Sequence, residues 1–213
     1  MNVLPVSAPL IFPRFDPIEH RYFLGSVELP SVTRILNDVL GGYDGVSREV
    51  MRRKAEIGEA VHVATAMYDT GVLDESSVPT EIAGYFEAWK RFRRETAFVP
   101  EWVERMVWST QHGYAGTLDR TGFFERLKRI NPTTRCLVDV KATAAHMPSV
   151  EPQTAAYSHA FAACAHLPVR HRFSVRLMPE GNYQLTEHTD PSDIAVFLSC
   201  LTIFRWRHRH GCI

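Results

Sequence analysis

The run Cys-Leu-Val-Asp-Val at residues 136–140 constrains the fold of this chain more than any other segment. It has the length of a strand, and its nearly continuous apolar character is typical of a strand buried on both faces. A strand of this kind lies inside a sheet that carries helices on both sides. The alanine-rich segment from Glu151 to Ala165 follows it and predicts one of those helices.

Helical and extended patterns alternate around that central strand. A hairpin from Phe12 to Leu29, turning at Gly25-Ser26, comes first. A short helix then begins at Pro30-Ser31-Val32-Thr33 and runs through Leu40, followed by a long helix from Ser47 to about Asp69 and a second from about Thr80 to about Thr96. Residues 102–108 and a segment ending at residues 123–125 predict two strands before the central one. After the alanine-rich helix, residues 170–177 and 183–187 predict two more strands, and a closing helix begins near Asp190 or Ser192.

We therefore expect a single α/β domain with a mixed central β-sheet flanked by helices. The chain has 213 residues, 45% of them hydrophobic, which is enough for one substantial core. Residues 1–45, the hairpin and the short helix, are interpreted as an N-terminal decoration. Residues 46–213 are interpreted as the core that carries the chemistry.

Charge and cysteine content exclude several classes of function. Lysine and arginine together number 24, as do aspartate and glutamate, so a nucleic-acid partner would have to bind a local basic groove. The four cysteines, Cys136, Cys164, Cys200 and Cys212, form no CxxC pair, which argues against a zinc site and favours a reducing cytoplasm. Prolines interrupt the apolar first residues, which predicts neither a signal peptide nor a membrane span. No P-loop is present, so ATP is not expected.

Two acids and a lysine on neighbouring predicted strands give the strongest chemical signal. Asp139 and Lys141 are two residues apart on one strand and therefore share a face. Asp119 lies on the preceding strand, about 4.8 Å away if the strands pair. Two converging carboxylates suit Mg²⁺ or Mn²⁺, and a nearby ammonium group could orient an attacking water and stabilise charge on a phosphate. Taken alone, an Asp-x-Lys tripeptide is more often a solvated strand end.

Three further polar residues lie on predicted helices beside these strands. His62 could ligate a metal or contact a phosphate, although a histidine in mid-helix, taken alone, is more often a core residue with satisfied hydrogen bonds. Gly58, four residues earlier, predicts close approach of another backbone. Gln153 and Tyr157 share a helix face and could bind a phosphate or a base edge, or else pack in the core.

The order of these elements resembles the PD-(D/E)XK nuclease superfamily, specifically its RecB-like and lambda-exonuclease-like branch. The motifs are Gly-x-x-x-His at 58–62, Gly-x-x-Asp at 116–119, Asp-x-Lys at 139–141 and Gln-x-x-x-Tyr at 153–157. Residues 15–36 also look like small stand-alone nucleases of phage and prophage. The resemblance implies a restriction-endonuclease-like core that cuts DNA with Mg²⁺ or Mn²⁺.

Site roles follow from the same resemblance. Asp119, Asp139, the Val140 carbonyl and His62 would bind the metal, Lys141 would be the catalytic lysine, and Gln153 and Tyr157 would organise the site and the bound strand. The chain departs from many relatives in three ways. Asp139 stands where glutamate is common, Ala142 separates Lys141 from Thr143, and the cysteines do not have the spacing of an iron–sulfur cluster.

Three functions stay open on sequence alone. The favoured one is an exonuclease in phage-type recombination or DNA processing, with a single-strand-annealing or recombination protein as a second candidate partner beside DNA. A restriction-like or structure-specific endonuclease on the same fold is the second. A catalytically silent DNA-binding or assembly protein is the third. A homo-oligomer is compatible with all three.

Overall fold

A five-stranded mixed sheet between two layers of helices forms the body of the protein. The computed structural model describes residues 13–41, 47–143, 145 and 147–212. Its helices are α1 (Val32–Leu40), α2 (Arg48–Asp69), α3 (Thr80–Thr96), α4 (Val150–Ala165) and α5 (Asp193–His210), with one turn of 3-10 helix at Glu75–Ser77. Its strands are β1 (Arg14–Asp16), β2 (Arg21–Leu24), β3 (Val27–Leu29), β4 (Phe98–Ser109), β5 (Tyr114–Phe124), β6 (Cys136–Lys141), β7 (His171–Leu177) and β8 (Tyr183–His188). The predicted α/β class is confirmed.

Serine side chains cap the first turns of α1 and α2. Ser31 Oγ accepts the Arg34 N–H at 3.1 Å at the start of α1, and Ser47 Oγ accepts the Val50 N–H at 3.3 Å at the start of α2. Each bond satisfies one of the backbone donors that a helix leaves unpaired in its first turn. Ser192 is the residue before α5, which decides between the two predicted starts of that helix.

The strand order in the main sheet is β4-β5-β6-β7-β8. Strand β6 is the central strand, as its apolar sequence predicts. It pairs antiparallel with β5 and parallel with β7, and all other neighbours are antiparallel. A parallel pair needs a crossover connection, and α4 provides it between β6 and β7. The polar residues at the end of β6 therefore lie close to the N-terminal end of α4.

The two faces of the sheet support separate cores. Cys136, Val138 and Val140 of β6 pack toward α2 and α3, together with Trp89 and other aromatic residues. Leu137, between them in sequence, packs on the opposite face against α1, α4 and α5. Because side chains alternate along a strand, burial on both faces requires apolar residues at successive positions. This explains the continuous run from which the fold was predicted.

The N-terminal residues form a small three-stranded sheet that packs on β5. The predicted turn at Gly25 is present, with Gly25 in the left-handed region at φ 61°, and β1 adds a strand to the expected hairpin. Tyr22 Oη lies 2.9 Å from Thr117 Oγ1, and Ser31 forms an isolated bridge with Ala115. Phe12, where the hairpin was predicted to begin, lies outside the described residues, as does the predicted boundary between residues 45 and 46. Among the helices described, none has both the length and the apolar character needed to cross a membrane.

Candidate metal centre and active site

Strands β5 and β6 separate at the two predicted acids. Their ladder includes the pair Arg120 and Val138, and the next pair along it would be Asp119 and Asp139. At that position the Asp119 side chain replaces the backbone of β5 as the hydrogen-bond acceptor: its Oδ2 accepts the Val140 N–H at 2.6 Å. The N–H and C=O of one strand residue point to the same side, so the Val140 carbonyl also faces β5. The separation leaves polar groups of both strands directed into one space.

Asp139 and Lys141 lie on one face, as their spacing predicts. Lys141 Nζ lies 2.9 Å from Asp139 Oδ1 and 2.7 Å from Oδ2. The Asp139 side chain is 1% exposed. Burial raises the pKa of Asp139 to about 6; the ammonium group of Lys141 opposes this rise, and the charge of Asp119 adds to it. Below that pH, in the absence of a cation, Asp139 is mostly protonated.

This raised pKa predicts that Asp139→Asn stabilises the metal-free protein. The pKa rises from an ordinary 3.8 to about 6 on folding, so wild-type stability falls as pH increases from about 4 to about 6 and stays lower above that range. At pH 8 with EDTA, the variant should exceed wild type in free energy of unfolding by on the order of 3 kcal/mol. Urea unfolding at several pH values measures the difference.

At pH 3.5, where the carboxyl is protonated in both states, the advantage of Asp139→Asn should disappear. Asp74→Asn is the matched control, and its effect on stability at pH 8 should have the opposite sign. Hydrogen bonds from Ser76 lower the pKa of the exposed Asp74, so its ionised form is favoured in the folded protein. Equal stability of wild type and Asp139→Asn at pH 8 would show that burial of the Asp139 charge is not costly.

Three side chains from three different elements converge next to this pair. His62 Nδ1 of α2 lies 3.7 Å from Glu104 Oε1 of β4 and 3.7 Å from Asp119 Oδ1 of β5. One ligand atom from each residue lies within 4.8 Å of the other two. Within the described ranges this is the only trio of histidine, cysteine or acidic side chains close enough to bind one ion. The separations exceed hydrogen-bond distance, which leaves space between the three atoms.

A divalent cation fits this donor set. Metal–ligand bonds of about 2.1 Å place two donors on one small ion at most about 4.2 Å apart, and the histidine nitrogen is within that distance of both carboxylates. Two carboxylates, one imidazole and a carbonyl are mainly hard oxygen donors, which suit Mg²⁺ or Mn²⁺. Cysteine contributes nothing to the trio, and the four cysteines are free thiols.

Glu104 was not among the residues singled out from the sequence. The register pairs Val103 with Arg120 and Arg105 with Leu118, which puts Glu104 opposite Asp119. Its backbone is left-handed, with φ 47°, a conformation that costs a residue with a side chain about 1 kcal/mol or more. Finding it from sequence would require the register of the β4–β5 hairpin and the irregularity between Pro100 and Trp102, neither of which has a clear sequence signal.

A buried arginine holds Glu104 and Asp119 in place. Arg120 Nη1 donates to Glu104 Oε1 and to the Asp119 carbonyl, both at 2.8 Å. On its other side, Arg120 Nε donates to Asp69 Oδ2 at 2.7 Å and Nη2 to Thr65 Oγ1 at 3.1 Å. The Arg120 and Asp69 side chains are fully buried. This buried ion pair joins α2 to β5, and through Glu104 the same arginine is also bonded to β4.

His62 lies where the motif predicts, but Gly58 does not make the predicted contact. Burial alone would lower the pKa of His62, and the carboxylates of Asp119 and Glu104 outweigh it and raise the pKa. A Cβ built on Gly58 would meet nothing within 4 Å, so the expected close approach of another backbone is wrong. The surface of α2 one turn before His62 is open instead.

Gln153 and Tyr157 lie beneath the acids, on α4. Both residues are buried. Burial raises the pKa of Tyr157 well above its usual value, and the charge of Asp119 adds to this, so the phenol keeps its proton. A Cβ on Gly116 would lie 2.7 Å from Tyr157 Cε1, which explains the glycine of the Gly-x-x-Asp motif. This burial suits organisation of the site; contact with a bound strand stays a prediction.

Comparison with known proteins gives structural neighbours only. No protein-family model and no curated protein matches the chain. An alkaline exonuclease from Laribacter hongkongensis aligns over 85% of this chain and 88% of its own, with 15% identity and a TM-score of 0.44. The same enzyme in complex with dAMP aligns over 86% and 89%, with 15% identity and a TM-score of 0.45. A protein from Eubacterium rectale named as a candidate exonuclease aligns over 87% and 77%, with 9% identity and a TM-score of 0.43. At this level of similarity, the activity of the chain has to be judged from its own site.

Proposed function

We propose that this protein is a divalent-metal-dependent deoxyribonuclease, with Asp119, Asp139 and Lys141 as its catalytic residues. The observation that carries the proposal is the convergence of His62, Glu104 and Asp119 beside the buried pair of Asp139 and Lys141. A structural role alone does not explain a nearly buried carboxylate with a raised pKa beside three converging side chains that can bind a metal. Strongly perturbed groups of this kind gather at functional sites.

The residues divide between binding the ion and acting on the phosphate. His62, Glu104, Asp119, Asp139 and the Val140 carbonyl would hold Mg²⁺ or Mn²⁺. When bound, such an ion polarises the scissile phosphate and makes a coordinated water a better nucleophile. Arg120 keeps two of the acids in position through the bonds described above, and Tyr157 lies under Asp119 as a neutral hydrogen-bond donor.

Lys141 adds a positively charged side chain to the site, next to the position proposed for the divalent ion. In the absence of substrate, its ammonium group is paired with both oxygens of Asp139. An ion shared by Asp119 and Asp139 would compete for the Asp139 carboxylate and leave Lys141 donors for a water or a phosphate oxygen. A cation placed where negative charge develops on the phosphate stabilises the transition state. Asp139 thus orients Lys141 while Lys141 keeps Asp139 ionised.

We further propose that the substrate is linear duplex DNA and that the reaction is exonucleolytic, within phage-type recombination or DNA processing. The test compares linear with covalently closed circular DNA in Mg²⁺, in Mn²⁺ and in EDTA. Cleavage of linear DNA alone, dependent on metal, is the expected result. Cleavage of closed circles would replace the exonuclease with an endonuclease, and no cleavage of either substrate in either metal would leave a DNA-binding or assembly protein.

A further inference from the structure

A row of three polar side chains extends from the candidate site across the sheet. Strand β6 pairs with β7 so that Lys141 neighbours Arg176, and β7 pairs with β8 so that Arg176 neighbours Gln184. Paired residues on adjacent strands share a face, so all three lie on the face that carries Asp139. With strands about 4.8 Å apart, this polar row spans roughly 10 Å from Lys141 to Gln184.

The polar row lies beyond the end of the helix that covers this face. Arg172, also on this face of β7, donates to the Glu151 carbonyl and Thr154 Oγ1 of α4 and to Asp193 Oδ2 of α5. Arg176 lies four residues further along β7, about 13 Å from Arg172. There the sheet face is partly open, since Gln184 is exposed and Arg176 half-buried.

Arg176 and Gln184 act as one unit, because Arg176 Nη2 donates to Gln184 Oε1. Because the Gln184 oxygen accepts this bond, the amide N–H₂ group of Gln184 is not part of it. A planar guanidinium beside an amide N–H₂ is a donor set for phosphate oxygens. Side chains of this kind contact phosphates without reading base sequence.

We propose that Arg176, supported by Gln184, binds a DNA backbone phosphate next to the one cleaved between Asp119 and Lys141. This proposal rests on the proposed nuclease function, because the position of the cleaved phosphate at β5 and β6 fixes where the DNA strand lies. A strand of DNA that continues across the sheet meets β7 one strand spacing from Lys141. The contact therefore contributes to DNA affinity and to the position of the bound strand, and it does so for every DNA sequence.

The experiment compares Arg176→Met with Arg91→Met. Arg91 is a matched control, because it also donates to a side-chain amide, Asn182 Oδ1 at 2.7 Å, but it lies on α3 against the opposite face of the sheet. Binding of a fluorescein-labelled duplex is measured by anisotropy in Ca²⁺ over a range of salt concentrations, and cleavage of the same duplex is measured in Mg²⁺. Arg176→Lys retains the charge without the planar fork and reports on folding together with the melting temperature.

Arg176→Met is expected to raise the dissociation constant about tenfold and to reduce the salt dependence by about one phosphate contact. Arg176→Lys should lie between it and wild type, and Arg91→Met should match wild type. Equal DNA binding by Arg176→Met and Arg91→Met would overturn the proposed phosphate contact. If the wild-type protein still cleaves DNA in that case, the proposed nuclease function is unaffected. Absence of cleavage by wild type in Mg²⁺ and Mn²⁺ is the separate failure of the proposed function.

Discussion

Asp119→Asn is expected to reduce cleavage of linear DNA by roughly 10²- to 10³-fold, the loss typical of removing a group that stabilises transition-state charge. Asparagine keeps an oxygen that can accept the Val140 N–H, so the separation of β5 and β6 is retained. What it removes is the negative charge 3.7 Å from His62 Nδ1. A divalent ion then loses one of its anionic ligands, and Mn²⁺ affinity should fall with activity.

Activity and Mn²⁺ binding of Asp119→Asn are measured together, by gel assay and by electron paramagnetic resonance. Asp74→Asn makes the same chemical change on the exposed turn before the short 3-10 helix and should leave both readouts unchanged. Wild-type cleavage by a folded Asp119→Asn protein would remove Asp119 from the mechanism. Lost activity with undiminished Mn²⁺ affinity would mean that the ion binds elsewhere.

Lys141→Met is expected to reduce the rate of cleavage by roughly 10²- to 10⁴-fold, as removal of a positioned acid–base or charge-stabilising group does. The metal ligands stay in place, so Mn²⁺ affinity should not fall at a pH above the pKa of Asp139. Because the ammonium group holds the pKa of Asp139 down against burial, its loss raises that pKa further. The residual activity should therefore shift toward higher pH.

Lys90→Met is the control for Lys141→Met. Lys90 is also paired with acids, Glu75 at 2.9 Å and Glu87 at 2.6 Å, but on α3, which covers the opposite sheet face. Its replacement should leave the rate and its pH profile as in wild type. Equal rates for Lys141→Met and wild type would refute the role of Lys141, and an unshifted pH profile would refute its coupling to Asp139.

Local sequence patterns predicted much of the fold, because the decisive interactions are local. The alternation of buried faces along residues 136–140 required a central strand, and the spacing of Asp139 and Lys141 required a shared face. Ser31 and Ser47 predicted two helix starts through bonds to residues three positions away. In each case the residues that interact are close in the chain, so their spacing in the sequence determines how their side chains lie relative to each other.

The parts that could not be predicted depend on distant pairings. Glu104 reaches the site through the register of a long hairpin and a left-handed backbone position. The bond from Arg120 to Asp69 joins residues 51 positions apart, and no periodicity links them. The glycines show the same limit, since Gly116 makes a close contact with Tyr157, whereas Gly58, predicted to do so with another backbone, does not.

In a crystal grown with Mn²⁺, anomalous scattering locates the ion. A peak is expected about 2.1 Å from the Asp119 carboxylate and at bonding distance from Asp139, with His62 or Glu104 as a further ligand. A crystal at millimolar Mn²⁺ with no peak between the two aspartates, or with its only strong peak remote from them, would contradict the proposed metal centre.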